Sequence, residues 1–375
     1  MDKDAGSSSR AELVLPYGVR QVDVVPPAGA LPDPLAVRGN RLSGPGYRLV
    51  FRRLVADFSV DAMVDRAASL TYYTVLALAP AILATYSLVI LLLPREGADA
   101  PQLLRELVAR YVPESLRAQA LDLLNTIVGT PSENTWALVI SVAVSLVSAS
   151  AYVRSFSRNA NVIYGRVEGR NFVVTWVTMW LVTLVLEAGA LVIILALALR
   201  ESLVAGVLGK VADPLGLTEE VEYLTRIFLP VWQWLQLPFV ALVSLGLLSL
   251  LYQVTPNVQR GRFRPVTWGS FLAFACSAVI WTGFSWYVSA VGVRSAYGAF
   301  GTVLTVLVLV WVMNVVLLLG VKIDAEVLRA KELQVGYDSE SVIQARPKSA
   351  DAAKFRLQME RWVGRAADDV KNQGR

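Results

Sequence analysis

Six long apolar stretches constrain the fold of this chain more than any other feature of its sequence. They are residues 69–93, 136–153, 171–199, 227–258, 265–293 and 295–321. Glu187 is the only residue in them that carries a formal charge. Because a helix of about 20 apolar residues crosses the hydrocarbon core of a bilayer, each stretch is long enough to span. The sequence therefore predicts an all-α, polytopic membrane protein with six transmembrane helices.

The connections between the stretches alternate between many and few basic residues. The second and fourth connections carry the basic clusters Arg154, Arg158, Arg166, Arg170 and Arg260, Arg262, Arg264. The third connection, residues 200–226, instead holds three basic and five acidic residues. Because Lys and Arg close to the ends of spans stay on the cytoplasmic side, the alternation predicts a multi-pass protein with both termini in the cytoplasm.

The segments outside the spans divide the chain into three parts. Residues 1–46 contain six prolines among small and polar residues, which predicts a disordered segment. Residues 47–329 form the predicted membrane domain, and residues 330–375 a polar cytoplasmic tail. Within the domain, the apolar spacing over residues 47–58 predicts an interfacial amphipathic helix, and two similar patterns over residues 103–127 predict an outer helical hairpin.

The residue types that most enzymes need are scarce in this chain. It has no histidine and one cysteine, Cys276, which excludes Cys–His zinc sites and Ser–His–Asp or Cys–His nucleophilic sites within the chain. Neither a GxxxxGK[ST] nor a GxGxxG phosphate-binding motif is present. The sequence therefore predicts a protein that is not an enzyme and has no cofactor or metal. Its pI near 9.3 reflects loops that set orientation and does not indicate nucleic-acid binding.

Three segments of the chain resemble the YihY/BrkB family of bacterial inner-membrane proteins, including its YhjD branch. They are residues 66–80 (RAASLTYYTVLALAP), 251–257 (LYQVTPN) and 297–301 (YGAFG), the last of which continues through Trp311 to Gly320. The resemblance implies a location in the bacterial plasma membrane, six helices with both ends inside, and an envelope or lipid-transport role. The ribonuclease label once given to members of the family has no chemistry behind it in this chain. Lys322 replaces an acid that the family usually has, which leaves Asp324 or Glu326 to serve instead.

Glu187 is the clearest candidate for a functional residue within a span. A charged group at bilayer depth costs roughly 2.5–3.5 kcal/mol on insertion scales, so this carboxyl needs protonation, water or a partner. It lies 16 residues after Asn171, at a depth of about 24 Å in a helix that enters from the cytoplasm. A proton or substrate relay and an interhelical hydrogen bond are the two interpretations.

Four further polar or helix-breaking residues are candidates for an intramembrane transport site. Pro80 removes a backbone hydrogen bond within the first span and predicts a kink. The hydroxyls of Tyr72 and Tyr73 could face a cavity at that kink, although kinks are also ordinary in membrane helices. Asn314 in the sixth span is an amide that needs a hydrogen-bonding partner, and bonding to another helix is its default role.

The basic connections also predict a binding surface for lipids. Arginines at the inner face attract anionic lipid headgroups by about 1 kcal/mol per residue, and the same charges also set orientation. The seven candidates are Arg154, Arg158, Arg166, Arg170, Arg260, Arg262 and Arg264. Membrane lipids are the predicted partners, with a second copy of the chain as a further candidate and no nucleic acid.

Two functions fit these features. The first is a transporter or translocase-like protein that handles lipid or other envelope components of unknown identity. The alternative is a non-catalytic scaffold that organises envelope proteins through its cytoplasmic tails. Loss of function on mutating Glu187 or Tyr72 favours the first, and loss on deleting the tail favours the second.

Overall fold

Helices account for most of the residues that the structure describes. It is a computed structural model, and it describes residues 12–14, 20–22, 41–92, 100–112, 114–128, 135–199, 226, 228–259, 263–291, 299–340 and 342–373. In chain order the helices are α1 (Gly44–Val60), α2 (Met63–Leu92), α3 (Ala100–Tyr111), α4 (Glu114–Val128), α5 (Thr135–Ile163), α6 (Phe172–Ala198), α7 (Leu229–Val254), α8 (Trp268–Val291), α9 (Ala299–Val335) and α10 (Asp351–Gln373).

Two short strands precede the helices. β1 (Glu12–Val14) and β2 (Arg20–Val22) pair antiparallel, with Leu13 opposite Gln21. These six residues differ from the disorder predicted for residues 1–46, and the valines in them favour a strand. The other residues of that segment up to residue 40 lie outside the described part of the chain.

Four of the described helices are long and apolar enough to cross a membrane. They are α6, α7, α8 and α9, which correspond to the third to sixth apolar stretches. α2 and α5, at the first and second stretches, are 30 and 29 residues long, and many of their side chains lie outside the described residues. The fold is therefore helical and membrane-like, as the sequence predicts.

The ends of six helices meet at one end of the bundle, which we call the basic end. α2 and α9 both contact α5. Arg66 at the start of α2 donates to Asn159 near the end of α5 (3.3 Å). The backbone N–H of Gly269 at the start of α8 donates to Asp324 of α9 (2.7 Å). α6 begins and α7 ends in the same region. Consecutive long helices therefore run in opposite directions.

Small residues let α7, α8 and α9 approach closely at the basic end. A Cβ added to Gly269 would lie 2.0 Å from the carbonyl oxygen of Gly320, and one added to Gly320 would lie 2.5 Å from the hydroxyl of Tyr252. That hydroxyl donates to the carbonyl oxygen of Leu317 (2.7 Å). Helices in lipid gain stability from such close contact, so α7, α8 and α9 pack tightly around Gly269 and Gly320.

α9 continues well beyond the membrane-length stretch and past the boundary predicted at residue 329. It ends at Val335, so the polar residues after Val321 extend the same helix. α1 packs against this extension, with Val50 and Leu54 against Val327 and Ala330. Part of the face that the sequence assigns to the inner leaflet is therefore covered by protein, while Phe51 on α1 is exposed.

Candidate functional site

A buried polar network holds the basic end together. Asn257, fully buried after α7, donates through its amide to the carbonyl oxygens of Val167 and Ser349 (both 2.9 Å). Its amide oxygen accepts from the N–H of Ser349 (3.1 Å), and its own N–H donates to Asn161 of α5 (2.6 Å). Through its side chain and its backbone N–H, Asn257 thus joins α5, α7, the α5–α6 connection and the segment before α10.

Two of the predicted lipid-binding arginines belong to this network. Arg166 is 2% exposed and donates to the carbonyl oxygens of Ile343 (2.6 Å) and Ala345 (2.5 Å). Arg170 pairs with Glu168 (2.7 Å) and donates to the carbonyl oxygen of Thr255 (2.7 Å). Because both guanidinium groups are buried among protein acceptors, the structure removes Arg166 and Arg170 from the predicted lipid contacts.

The other predicted arginines are differently placed. Arg158 and Arg264 are exposed, and Arg154 lies 4.8 Å from the ring centre of Trp176 in a cation–π arrangement. Arg260 and Arg262 lie outside the described residues. Lipid contact therefore stays a prediction for the exposed basic side chains of this end.

Lys322 occupies the centre of an ionic cluster between α1 and α9. Its ammonium lies 2.9 Å from Asp57, 2.8 Å from Asp61 and 3.0 Å from Glu326. Glu326 also binds Arg329 (2.8 Å) and Asp57 lies 3.7 Å from Arg53, so the cluster carries three carboxylates and three cations. Asp324, the other suggested substitute for the family's acid, is engaged by the start of α8. Within the described ranges, no group of three or more His, Cys, Asp or Glu side chains is arranged to hold a metal ion.

A cleft of about 520 Å³ opens at the basic end between α7, α8 and α9. We call it the basic-end cleft, and it is lined by Gln253, Arg264, Val266, Thr267, Trp268, Phe271, Asp324, Val327, Leu328 and Lys331. Its polar wall carries two cations and one carboxylate. Its other wall is apolar, and the rings of Trp268 and Phe271 are each about half exposed. This arrangement suits an amphipathic ligand with a negative charge at one end.

Local hydrogen bonds fix the polar wall of the basic-end cleft. The amide of Gln253 donates to the carbonyl oxygen of Arg264 (2.6 Å) and accepts from its N–H (2.9 Å). Thr267 and Ser270 cap the start of α8 reciprocally: the N–H of Thr267 donates to the Ser270 hydroxyl (2.9 Å), and the N–H of Ser270 to the Thr267 hydroxyl (3.0 Å). Such a cap fixes where a helix begins, so the backbone at Arg264 and Trp268 is well defined.

A second cleft, also of about 520 Å³, lies between α8 and α9, farther from the basic end. It is lined by Ile280, Gly283, Phe284, Tyr287, Leu304, Thr305, Val308, Leu309 and Val312, and we call it the apolar cleft. Gly283 leaves it open, because a Cβ there would meet no atom within 4 Å. An apolar cleft open to the surface of a membrane helix pair suits an acyl chain.

Asn314 lies in a buried polar cluster between α2, α5 and α9. Its amide oxygen accepts from the hydroxyl of Tyr152 (3.0 Å), and its amide nitrogen faces the hydroxyls of Thr71 and Thr74 (3.3 Å each). The amide also donates to the carbonyl oxygen of Val310 (3.0 Å). Asn314 therefore makes the interhelical hydrogen bonds that are its default role.

The structure does not bring the other candidates of the first span to Asn314. Tyr72 is 62% exposed on the surface of α2, and its ring packs edge-on against Tyr73 with 5.5 Å between centroids. α2 runs through residue 80, and the side chain of Pro80 lies outside the described residues. A shared cavity for the two tyrosines and the proline stays a prediction.

Glu187 lies on α6, away from both clefts and from the Asn314 cluster. Its Oε1 is buried, and no hydrogen-bonding partner for that atom occurs in the described part of the chain. A buried polar atom without a partner carries a desolvation cost, which fits either a protonated carboxyl or contact with a residue outside that part. The relay role of Glu187 stays a prediction.

Comparison with known proteins identifies the family. The family model described as Virulence factor BrkB matches residues 54–341, which include every helix from α2 to α9. This chain belongs to the BrkB family. The ribonuclease-like protein YfkH of Bacillus subtilis (strain 168) is 25% identical over 286 residues, covering 75% of this chain and 96% of YfkH. No solved structure matches the chain.

The motifs that resemble the BrkB family concentrate in the buried network. In the first, Arg66 binds the carbonyl oxygen of Asp61 (2.6 Å) as well as Asn159. In the second, Gln253 holds the cleft wall and Asn257 binds the segment before α10. In the third, the indole of Trp311 donates to the carbonyl oxygen of Val64 (3.2 Å). These motifs therefore contribute to the basic end, and Gln253 of the second motif lines the basic-end cleft.

Sequence reasoning missed Lys331, Gln253 and Asn257 as site residues. Lys331 gave no signal, because a lysine in a polar tail is ordinary. Gln253 and Asn257 both lie in the motif at residues 251–257, but a glutamine at the end of a span is ordinary and the context of Asn257 indicates only the end of a helix. Their roles depend on contacts between segments that are distant along the chain.

Proposed function

We propose that this BrkB-family protein spans the bacterial plasma membrane six times, with both termini in the cytoplasm, and moves a lipid or another amphipathic envelope component. α2 and α5 are the two further spans in this proposal, and α3 and α4 form the hairpin on the outer side. The basic end then lies at the inner headgroups. Helix lengths, alternating helix directions and the positions of the arginines support this orientation.

The observation that carries the transport proposal is the pair of clefts along α8 and α9. The basic-end cleft joins charged and aromatic side chains at the inner headgroup level, and the apolar cleft opens in the other half of the bilayer. The two lie about 16 residues apart along α8, from Phe271 to Tyr287, a distance of roughly 24 Å. Binding places for lipid in both leaflets on one helix pair suit a protein that transfers lipid between them.

The test is lipid exchange between leaflets in proteoliposomes. Purified protein is reconstituted with a fluorescent phospholipid, and a membrane-impermeant quencher reports the label that reaches the outer leaflet. Gly283→Leu fills the apolar cleft, and Gly246→Leu on α7 is its matched control, since a Cβ at either glycine meets nothing within 4 Å. We expect Gly283→Leu to slow exchange about tenfold or more, which corresponds to about 1.4 kcal/mol in the barrier, and Gly246→Leu to leave it unchanged.

Two results contradict this proposal. The first is that folded wild-type protein exchanges none of the anionic, zwitterionic and glycolipid reporters. The second is that the two glycine variants slow exchange equally, which shows that the apolar cleft has no particular part in it. Glu187→Gln, measured over a range of pH beside them, tests whether exchange depends on a proton at that carboxyl.

A scaffold is the second candidate, and α10 favours it. This helix begins at the basic end, where the N–H of Ala352 donates to the carbonyl oxygen of Gly169 (2.8 Å). It then exposes Phe355, Met359 and Trp362, spaced by four and three residues so that they lie on one face. An exposed apolar stripe on a polar helix is typical of a contact surface.

A further inference from the structure

Lys331 differs from the other described lysines that are packed into the basic end. It is only 8% exposed, yet no hydrogen bond or salt bridge to its ammonium occurs among the residues that the structure describes. Lys322 there binds three carboxylates, and Lys348 donates to the carbonyl oxygens of Gln253 and Val254 (2.8 Å each). Lys331 lines the basic-end cleft, where an ammonium held in the protein wall can pair with an anion from outside the chain.

The surroundings of Lys331 make its cleft a site for a negative group. Arg264 lines the same cleft, and Gln253 positions its backbone through two hydrogen bonds. The one carboxylate of the cleft, Asp324, already accepts the N–H of Gly269 at 2.7 Å. Two cations therefore face one carboxylate that is engaged by the start of a helix.

The same cleft points toward the membrane. Lys331 lies ten residues beyond Val321, and side chains on a helix lean toward its N-terminus, which for α9 is the direction of the bilayer. Trp268 and Phe271 form the apolar wall nearest the first turn of α8, and Phe263 and Val266 beside them are also exposed. The cationic wall thus lies where the phosphate of a lipid would be, and the aromatic wall lies where its acyl chains would begin.

We propose that the basic-end cleft binds the phosphate of an anionic phospholipid, with Lys331 and Arg264 as its ligands and Trp268 and Phe271 against the chains. This inference rests on the proposed function and names the class of lipid. A zwitterionic lipid is disfavoured, because its own ammonium group would be held close to two protein cations. A lipid with one net negative charge satisfies Lys331 without that repulsion.

The test measures how lipid changes the thermal stability of the purified full-length protein in detergent. Phosphatidylglycerol, phosphatidylcholine and inorganic phosphate are titrated separately, because a ligand that binds only the folded state raises Tm with its concentration. The variants are Lys331→Met and Arg264→Gln. Lys354→Met is the control, since Lys354 is an exposed lysine on α10 outside the cleft.

We expect phosphatidylglycerol to raise the Tm of wild type and Lys354→Met, and to bind Lys331→Met and Arg264→Gln about tenfold more weakly or worse. Without lipid, Lys331→Met should melt no lower than wild type, because no hydrogen bond or salt bridge among the described residues is lost with the ammonium. A lysine with a merely structural role would instead give a lower Tm. If Lys331→Met does not fold, the lipid titration of Arg264→Gln decides.

Equal effects of phosphatidylglycerol on wild type and both cleft variants would overturn the inference, as would equal effects of phosphatidylcholine and phosphatidylglycerol. A rise in Tm with inorganic phosphate alone that matches the rise with lipid would assign the site to free phosphate and overturn the lipid ligand. Leaflet exchange without any preference for anionic lipid leaves the proposed function in place and removes this inference. Selective binding of anionic lipid without leaflet exchange supports this inference and contradicts the proposed function.

Discussion

Lys322 stands where resemblance to the BrkB family leads one to expect an acid, and the structure surrounds it with carboxylates. Its side chain is 4% exposed and that of Glu326 is 1% exposed, whereas Asp57 and Asp61 are each 22% exposed. The substitution of a cation for an acid is therefore compensated by acids on α1, at the α1–α2 turn and one turn along α9. At this position the local charge balance, rather than one residue type, defines the site.

Lys322→Met should destabilise the protein strongly. Removing one partner of a buried ion pair costs about 3–5 kcal/mol, because Glu326 loses one of its two cations and the two aspartates repel it. Melting temperatures of the wild type and the variant, with Lys354→Met as the control, measure this loss.

Lys322→Arg separates the effect of charge from that of packing, because it keeps the positive charge. We expect it to keep most of the stability that Lys322→Met loses. An equal loss in the two variants would contradict the charge explanation and indicate lost packing.

The roles of single residues could be predicted from the sequence only where the local pattern determines them. The need of Asn314 for an interhelical partner follows from an amide in an apolar stretch, and the structure supplies Tyr152. Arg166 and Arg170 have the same sequence signal as the exposed Arg158, yet they are buried. Arg166 and Arg170 differ from Arg158 because they bind acceptors of distant segments, such as the carbonyl oxygens of Ile343 and Thr255. No pattern along the chain reveals these acceptors.

Among the secondary-structure elements, the segment between α9 and α10 departs most from its predicted character as part of a polar tail. A Cβ on Gly169 would lie 1.8 Å from the carbonyl oxygen of Ser349, so this segment lies directly on the α5–α6 connection. Glu332 near the end of α9 accepts the N–H groups of Gln344 (2.7 Å) and Ala345 (2.9 Å). The polar sequence of the segment between α9 and α10 predicts a tail, because the residues that bind its polar groups lie far away in the chain.

Two truncations should therefore have different effects. Ending the chain after Ala350 removes α10 and should leave Tm nearly unchanged, because nearly all described side chains of α10 are exposed. Ending it after Val335 also removes the partners of Arg166, Asn257 and Glu332. Each buried group left unsatisfied costs about 1–3 kcal/mol, so this variant should melt far lower. Equal Tm values for the two truncations would contradict the integral role of residues 336–350.

The truncation after Ala350 also separates the two candidate functions. A transporter should keep leaflet exchange without α10, since both clefts lie on α8 and α9. A scaffold that binds its partners through Phe355, Met359 and Trp362 should lose them while the bundle remains folded.

At the scale of the whole molecule, helix positions agree well with the apolar stretches, because length and hydropathy determine which segments suit a bilayer. The predicted stretches 171–199, 227–258 and 265–293 coincide with α6, α7 and α8 to within a few residues. α9 shows the limit of this reasoning, since a charged extension that packs against α1 looks like a tail in sequence. The clefts could not be predicted, because they arise from the spacing between packed helices.

Six crossings would place the basic end on the cytoplasmic side, and cysteine labelling measures on which side of the membrane each helix end lies. Cys276 is exposed and is first replaced by serine, after which single cysteines are introduced as Arg48→Cys, Asn125→Cys, Arg158→Cys and Lys354→Cys. All four positions are exposed on helices, so the changes should not disturb packing. Right-side-out membrane vesicles are then treated with a membrane-impermeant maleimide before and after they are opened.

We predict that the cysteine at position 125, on α4, reacts in sealed vesicles, and that those at positions 48, 158 and 354 react only after opening. That pattern requires α2 and α5 to cross the membrane and places α1, the end of α5 and α10 together inside. Reaction at position 125 only after opening, together with position 158, would mean that α5 does not cross. Reaction at position 158 or 354 in sealed vesicles would place the basic end outside and contradict its cytoplasmic location.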